Sequence, residues 1–146
     1  MKQKLFSLTL LAITLFSFTT LGDPEKDILG KWKIEDGYAP KAAKNMIEFA
    51  RKSNPGQAEQ MEQNFDAFTE MLSGLTLEYK ADKTYEVDVP GQGTQGGKWE
   101  MGADKKSLLV TRSNGMQRTD KIIELTDKKL VIVNGERQDT TRYTRQ

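Results

Sequence analysis

From Leu75 to the C-terminus, apolar and polar residues alternate, and clusters of turn-forming residues interrupt the alternation about every ten positions. A period of two sends successive side chains to opposite faces of a strand. Seven strands are predicted here, over residues 75–80, 84–89, 98–102, 107–112, 117–125, 129–133 and 137–145. One further strand, over 29–36, comes earlier and is ended by Gly37 and Pro40. Between it and Leu75 the period lengthens to that of a helix. Ala43, Met46, Ile47 and Ala50 mark a first helix over 41–52, which Asn54-Pro55-Gly56 ends. Ala58, Met61, Phe65, Phe68 and Leu72 mark a second, with Glu59, Glu62, Asp66 and Glu70 on its outer face. Ser73-Gly74 stops it.

Eight strands joined in order by short connections make a meander, which closes into an antiparallel up-and-down barrel without exposed edges. The fold class is therefore mainly β: an eight-stranded barrel with two α-helices inserted between the first and second strands. Connections in such a barrel fall at alternate ends. The turns at 81–83, 103–106 and 126–128 share a tight, closed end. The helices, the glycine-rich stretch Pro90–Gly97, Asn114-Gly115 and Asn134-Gly135 share the other, the expected mouth. Both Asn-Gly pairs are expected as two-residue type I′ turns.

Alternation also proposes what faces inward: Leu77, Tyr79, Tyr85, Val87, Trp99, Met101, Val110, Ile123, Leu125, Ile132, Thr141 and Tyr143 among others. Phe65 and Phe68 would cap the opening from the helices. Arg112, Arg118 and Arg137 fall near the mouth. Two accounts of them stand side by side: a cluster that grips a ligand carboxylate, or exposed ion pairs with Asp120, Glu136 and Asp139 on the outer surface. The segment Gly30-Lys31-Trp32 is echoed by Gly97-Lys98-Trp99. With the fourth strand starting at Lys98, Trp99 is expected at the mouth and Trp32 at the closed end.

At the N-terminus, Lys2 and Lys4 precede an apolar run from Leu5 to Phe18 and then small or polar residues, the pattern of a cleavable signal peptide over 1–22. The remainder, 23–146, suits one domain. An exported, periplasmic or secreted protein follows, and with no cysteine in the sequence there is neither a disulfide nor a lipidated thiol.

Charge is nearly balanced, with 22 Lys and Arg against 21 Asp and Glu and no basic stripe, which removes the electrostatic drive for nucleic-acid binding. Histidine is absent as well as cysteine, so the usual general base, thiol nucleophile and transition-metal ligands are missing. No catalytic role, metal or cofactor is expected. Gly91, Gly93 and Gly96 match a dinucleotide-loop spacing, but strand-type residues follow them where phosphate binding needs a helix N-terminus.

Gly30-Lys31-Trp32 opening the first strand, the meander, the turn LTDKKL from Leu125 and the ending RYTR from Arg142 together resemble the small secreted lipocalin-like proteins of bacteria, within the lipocalin/calycin-type barrels. The chain departs from that pattern in placing two helices after its first strand. The resemblance implies an arginine from the last strand, Arg142 or Arg145, stacked on Trp32 beside Gly30 to clasp the closed end. It also implies a barrel that binds a small hydrophobic or amphiphilic molecule without transforming it. An interior void of at least ~300 Å³ reached from the glycine-rich stretch would suit such a ligand. The alternative is a packed barrel that serves as a protein-interaction module at the cell envelope.

Overall fold

A computed structural model describes residues 22–146; the signal-peptide expectation, Gly22 apart, lies outside the described residues. In chain order the elements are α1 (Pro24–Asp27), β1 (Gly30–Ile34), α2 (Ala39–Ser53), α3 (Pro55–Gln63), α4 (Phe65–Ser73), β2 (Thr76–Tyr79), β3 (Thr84–Val89), β4 (Gly93–Met101), β5 (Ser107–Arg112), β6 (Gln117–Leu125), β7 (Lys129–Val133) and β8 (Thr140–Arg145). Each strand pairs antiparallel with the next, and β8 returns to β1, so the sheet is a closed eight-stranded barrel. The mainly-β meander with helices after the first strand is thus the observed architecture.

The helical insertion is three helices rather than two, and a short α1 precedes the barrel. Asn54 separates α2 from α3: its backbone N–H still donates to Ala50 O, while its side chain accepts from Gln57 N and caps the helix that Pro55 begins. Asn64 then interrupts the predicted second helix between Met61 and Phe65, at φ −115° and ψ 34°, outside helical geometry.

Two strands differ at the mouth end. β4 starts at Gly93 instead of Lys98, because Gly93–Lys98 pairs residue by residue with β3, and Gly97 pairs onward with Arg112 of β5. Glycine is a poor strand former, but here it permits close approach of the backbones: a Cβ at Gly97 would lie 2.0 Å from Thr111 O. The predicted long glycine-rich loop shrinks to a turn at residues 90–92, closed by Gln92 N to Val89 O at 2.9 Å. Conversely, β8 starts at Thr140, and Arg137–Asp139 belongs to the preceding loop.

Neither Asn-Gly pair forms a type I′ turn. Of the first pair only Gly115 has positive φ, at 83°, and Asn114 instead accepts from Met116 N through its side chain. In the second, Asn134 N donates to Asp139 O across a four-residue loop whose positive-φ residue is Gln138. Gly135 is required there for space, since a Cβ would meet Thr119 O at 1.9 Å.

One extra residue in β6 alters which side chains face inward. Ile122 pairs with Ile132 and Glu124 with Val131, so Ile123 is bulged out and 37% exposed, while Ile122 is 8% exposed. Counting back from Ile122, Asp120 and Arg118 face the interior. The core has three parts, the smallest of them Ile47, Ala50 and Ala58 between the helices. Trp32, Trp99, Leu108, Leu130 and their neighbours fill the closed half of the barrel. Ile34, Ala39, Ala42, Ala43 and Leu72 seat the helices on the mouth, with Tyr143 partly buried between.

Candidate functional site

The closed end is a clasp built on one arginine. Arg145, the last residue of β8, pairs with Trp32 of β1, and its guanidinium carbon lies 4.2 Å from the Trp32 ring centroid. Its Nε donates to Asp127 O at 2.5 Å, Nη1 to Leu29 O at 2.6 Å and Nη2 to Asp27 O at 2.5 Å. Gly30, at φ 113°, leaves room for it, because a Cβ there would sit 2.8 Å from Arg145 Nη1. Trp32 Nε1 donates to Ile28 O at 2.8 Å. α1, the β6–β7 turn and the C-terminal strand are all tied to one cation. Arg142 is not part of the clasp: it is exposed on the outer face, 6.0 Å from the Tyr38 ring.

Trp99 is at this same end, not at the mouth. With β4 starting at Gly93, six residues of strand carry Trp99 roughly 20 Å down the barrel at about 3.3 Å per residue. It is 2% exposed, its Nε1 donates to Lys80 O at 3.1 Å, and Lys83 Nζ stands 4.3 Å over its ring. Tyr79 packs edge-on against it at 5.7 Å. Met101 lies two residues further toward the closed end. Neither residue borders the internal cavity.

That cavity, of about 130 Å³, occupies the mouth half of the barrel. Leu77, Tyr79, Tyr85, Val87, Val110 and Ile132 form its walls; Ala42, Met46 and Leu72 of the helices roof it. It is under half of the ~300 Å³ given above as suiting a ligand, and the glycine-rich stretch does not border it. Phe65 and Phe68 are not part of the roof, for they pack within the helical layer, and Phe65 borders a separate surface groove with Ile47 and Glu62.

Polar groups enter the cavity from the β7–β8 loop and from β6. Arg118, Asn134, Arg137, Asp139 and Thr141 border it beside Tyr143. Arg118 Nε donates to both carboxylate oxygens of Asp120, at 2.9 and 3.1 Å, and Gly135 N adds a bond at 2.9 Å. Asp120 is fully buried, a position an anion holds only with such partners. Arg137 Nε donates to the Asp139 carboxylate at 3.2 and 3.3 Å. The expected partners are therefore observed, but two of the three pairs are inside the mouth rather than on the outer surface. Arg112 and Glu136 form the third pair, at the rim. It bridges the end of β5 and the β7–β8 loop over a groove that shares Arg118 with the cavity.

The electrostatics follow from burial. Desolvation pushes the Tyr79 phenol well above its ordinary pKa and raises that of Tyr143, so both are held neutral. Burial alone would lower the Arg118 pKa, but the hydrogen bond and charge of Asp120 outweigh it and the pKa is raised. Alternation counted from Ile123 places Asp120 on the outer face; counted from the buried Ile122 it places Asp120 inside. Among the described residues no group of three or more acidic side chains could hold a metal ion, and no helix is long and apolar enough to cross a membrane.

No family model matches the chain, and no curated protein matches it. Among solved structures it is similar to a DUF4847 family protein from Bacteroides vulgatus, with a TM-score of 0.52 and 13% sequence identity, over 86% of this chain and 98% of that one. At that identity the likeness is one of fold, and with the closed eight-stranded antiparallel meander it describes a calycin-like barrel in the coarse sense.

Proposed function

We propose that this chain is an exported lipocalin-like protein that binds a small amphiphilic molecule inside its barrel and does not transform it. The observation that carries this reading is the cavity of about 130 Å³ at the mouth, apolar on its walls and roof and polar along one side. A packed core has no need for arginines and carboxylates turned inward, since burying ion pairs is at best neutral for stability against apolar residues of the same size. The volume limits the ligand. A dry cavity of ~150 Å³ accepts benzene, so the enclosed part of a ligand here is at most about the size of a benzene ring.

The test is native mass spectrometry of the protein purified gently from its own host. A bound species of roughly 150 Da or less is expected from that volume. A protein that is ligand-free in every preparation, and that captures nothing from a host metabolite extract, would favour the packed barrel acting through its surface.

A further inference from the structure

Resting on the reading of the barrel as a ligand site, we propose that the ligand is a short, branched or aromatic monocarboxylate whose carboxylate is held by Arg118 and Arg137 and whose apolar body lies against Leu77, Val87 and Val110.

The hydrogen-bonding inventory of the cavity wall is lopsided. Each arginine spends only its Nε on a protein carboxylate. Among the described residues, the terminal Nη groups of both have no acceptor and are left open to solvent, on side chains 23% and 22% exposed. Asn134 adds to the surplus. Its Oδ1 already accepts from Glu136 N at 3.0 Å and Arg137 N at 2.9 Å, which leaves its amide nitrogen as a donor. On the acceptor side, Asp120 is taken up by Arg118 and Gly135 and Asp139 by Arg137, which leaves only the hydroxyls of Tyr79, Tyr85, Thr141 and Tyr143 on the wall.

A guanidinium has five N–H donors and no acceptor, so two of them with free ends ask for a ligand that supplies acceptors. A carboxylate is the smallest planar group that does so in the bidentate geometry arginine favours. The protein carboxylates are bonded at Nε, which leaves the two Nη atoms of each guanidinium for ligand oxygens. The pairs at Nε also fix the arginines in place beforehand, which lowers the ordering cost of binding. The remaining wall is largely apolar and the volume small, which excludes a long acyl chain but admits a ring or a branched carbon skeleton.

The experiment is isothermal titration of the mature protein with benzoate and with benzamide, its neutral isostere of the same shape. Benzoate is expected to bind on the order of tenfold or more tighter, the difference charge-assisted hydrogen bonds make. Arg137→Gln should weaken benzoate by a similar factor and leave benzamide within about twofold. Arg118 is tested as the double variant Arg118→Gln/Asp120→Asn, so that no buried carboxylate is left alone; near-ultraviolet circular dichroism reports whether each variant keeps its packing.

Equal affinity for benzoate and benzamide, or benzoate binding unchanged in folded Arg137→Gln, would overturn the carboxylate assignment and leave the barrel as a ligand site. Binding of neither compound would overturn it as well. The native mass spectrum then decides the wider reading.

Discussion

Replacing Arg145 by methionine removes the cation from the closed end while keeping an unbranched apolar stem over Trp32. The structure sets the size of the effect. Three hydrogen bonds to backbone carbonyls disappear, each contributing about 1 kcal/mol net, and so does a cation–π contact at 4.2 Å worth about 1 kcal/mol. The clasp is at the edge of the barrel, where water can reach part of the vacated carbonyls, so the expected loss is ~3 kcal/mol rather than the full sum. In a domain of this size that corresponds to a fall in Tm of roughly 10 °C. The matched comparison is Arg142→Met on the same strand, exposed and outside the clasp, where a change within about 0.5 kcal/mol is expected. Urea unfolding followed by tryptophan fluorescence measures both. Losses that are equal, or an Arg145→Met loss below ~1 kcal/mol, would show that the three carbonyl contacts do not hold the end together as argued.

Two further predictions address the barrel. Ile122→Ser should destabilise by ~2–3 kcal/mol through lost burial, whereas Ile123→Ser, on the bulged and exposed residue, should stay within about 0.5 kcal/mol; the reverse order in urea unfolding would place the extra residue elsewhere. Tyr79 and Tyr143 have phenol pKa values raised by burial. The folded state then binds more protons than the unfolded chain above ~pH 10, so their contribution to stability is complete below that pH and falls as pH rises through the folded pKa values. Their phenolate absorbance should appear only together with loss of near-ultraviolet circular dichroism, and its appearance at about pH 10 in an intact fold would contradict the burial.

The candidate site was legible in part. Leu77, Tyr85 and Val87 could be placed on the inner wall because β2 and β3 alternate without interruption and pair in register, Leu77 with Val87 and Tyr79 with Tyr85. Arg118 and Arg137 could be placed near the mouth by counting strands and paired with the acids Asp120 and Asp139, and both pairs are present. What alternation could not supply was their facing. Arg137 turns inward because its segment is a loop held between Asn134 and Asp139, not the start of a strand. Asp120 turns inward because of a single residue, Ile123, further along the same strand.

By itself the amino-acid sequence determined the period-two strands and the order that makes them a meander. It also determined the helices between the first two strands, and which connections share an end. These are local properties: side-chain spacing, turn formers and strand polarity suffice for them. Only the tertiary structure decided where β4 begins and where β6 carries its extra residue, because both depend on partners distant in sequence. Pairing with Thr84–Val89 draws Gly93–Gly97 into the sheet against their own propensity, and that moves Trp99 from the mouth to the closed end. Pairing with Val131 and Ile132 forces Ile123 out, and that brings Arg118 and Asp120 into the interior. A period of two names two faces of a strand without saying which is inside, and one bulge exchanges them.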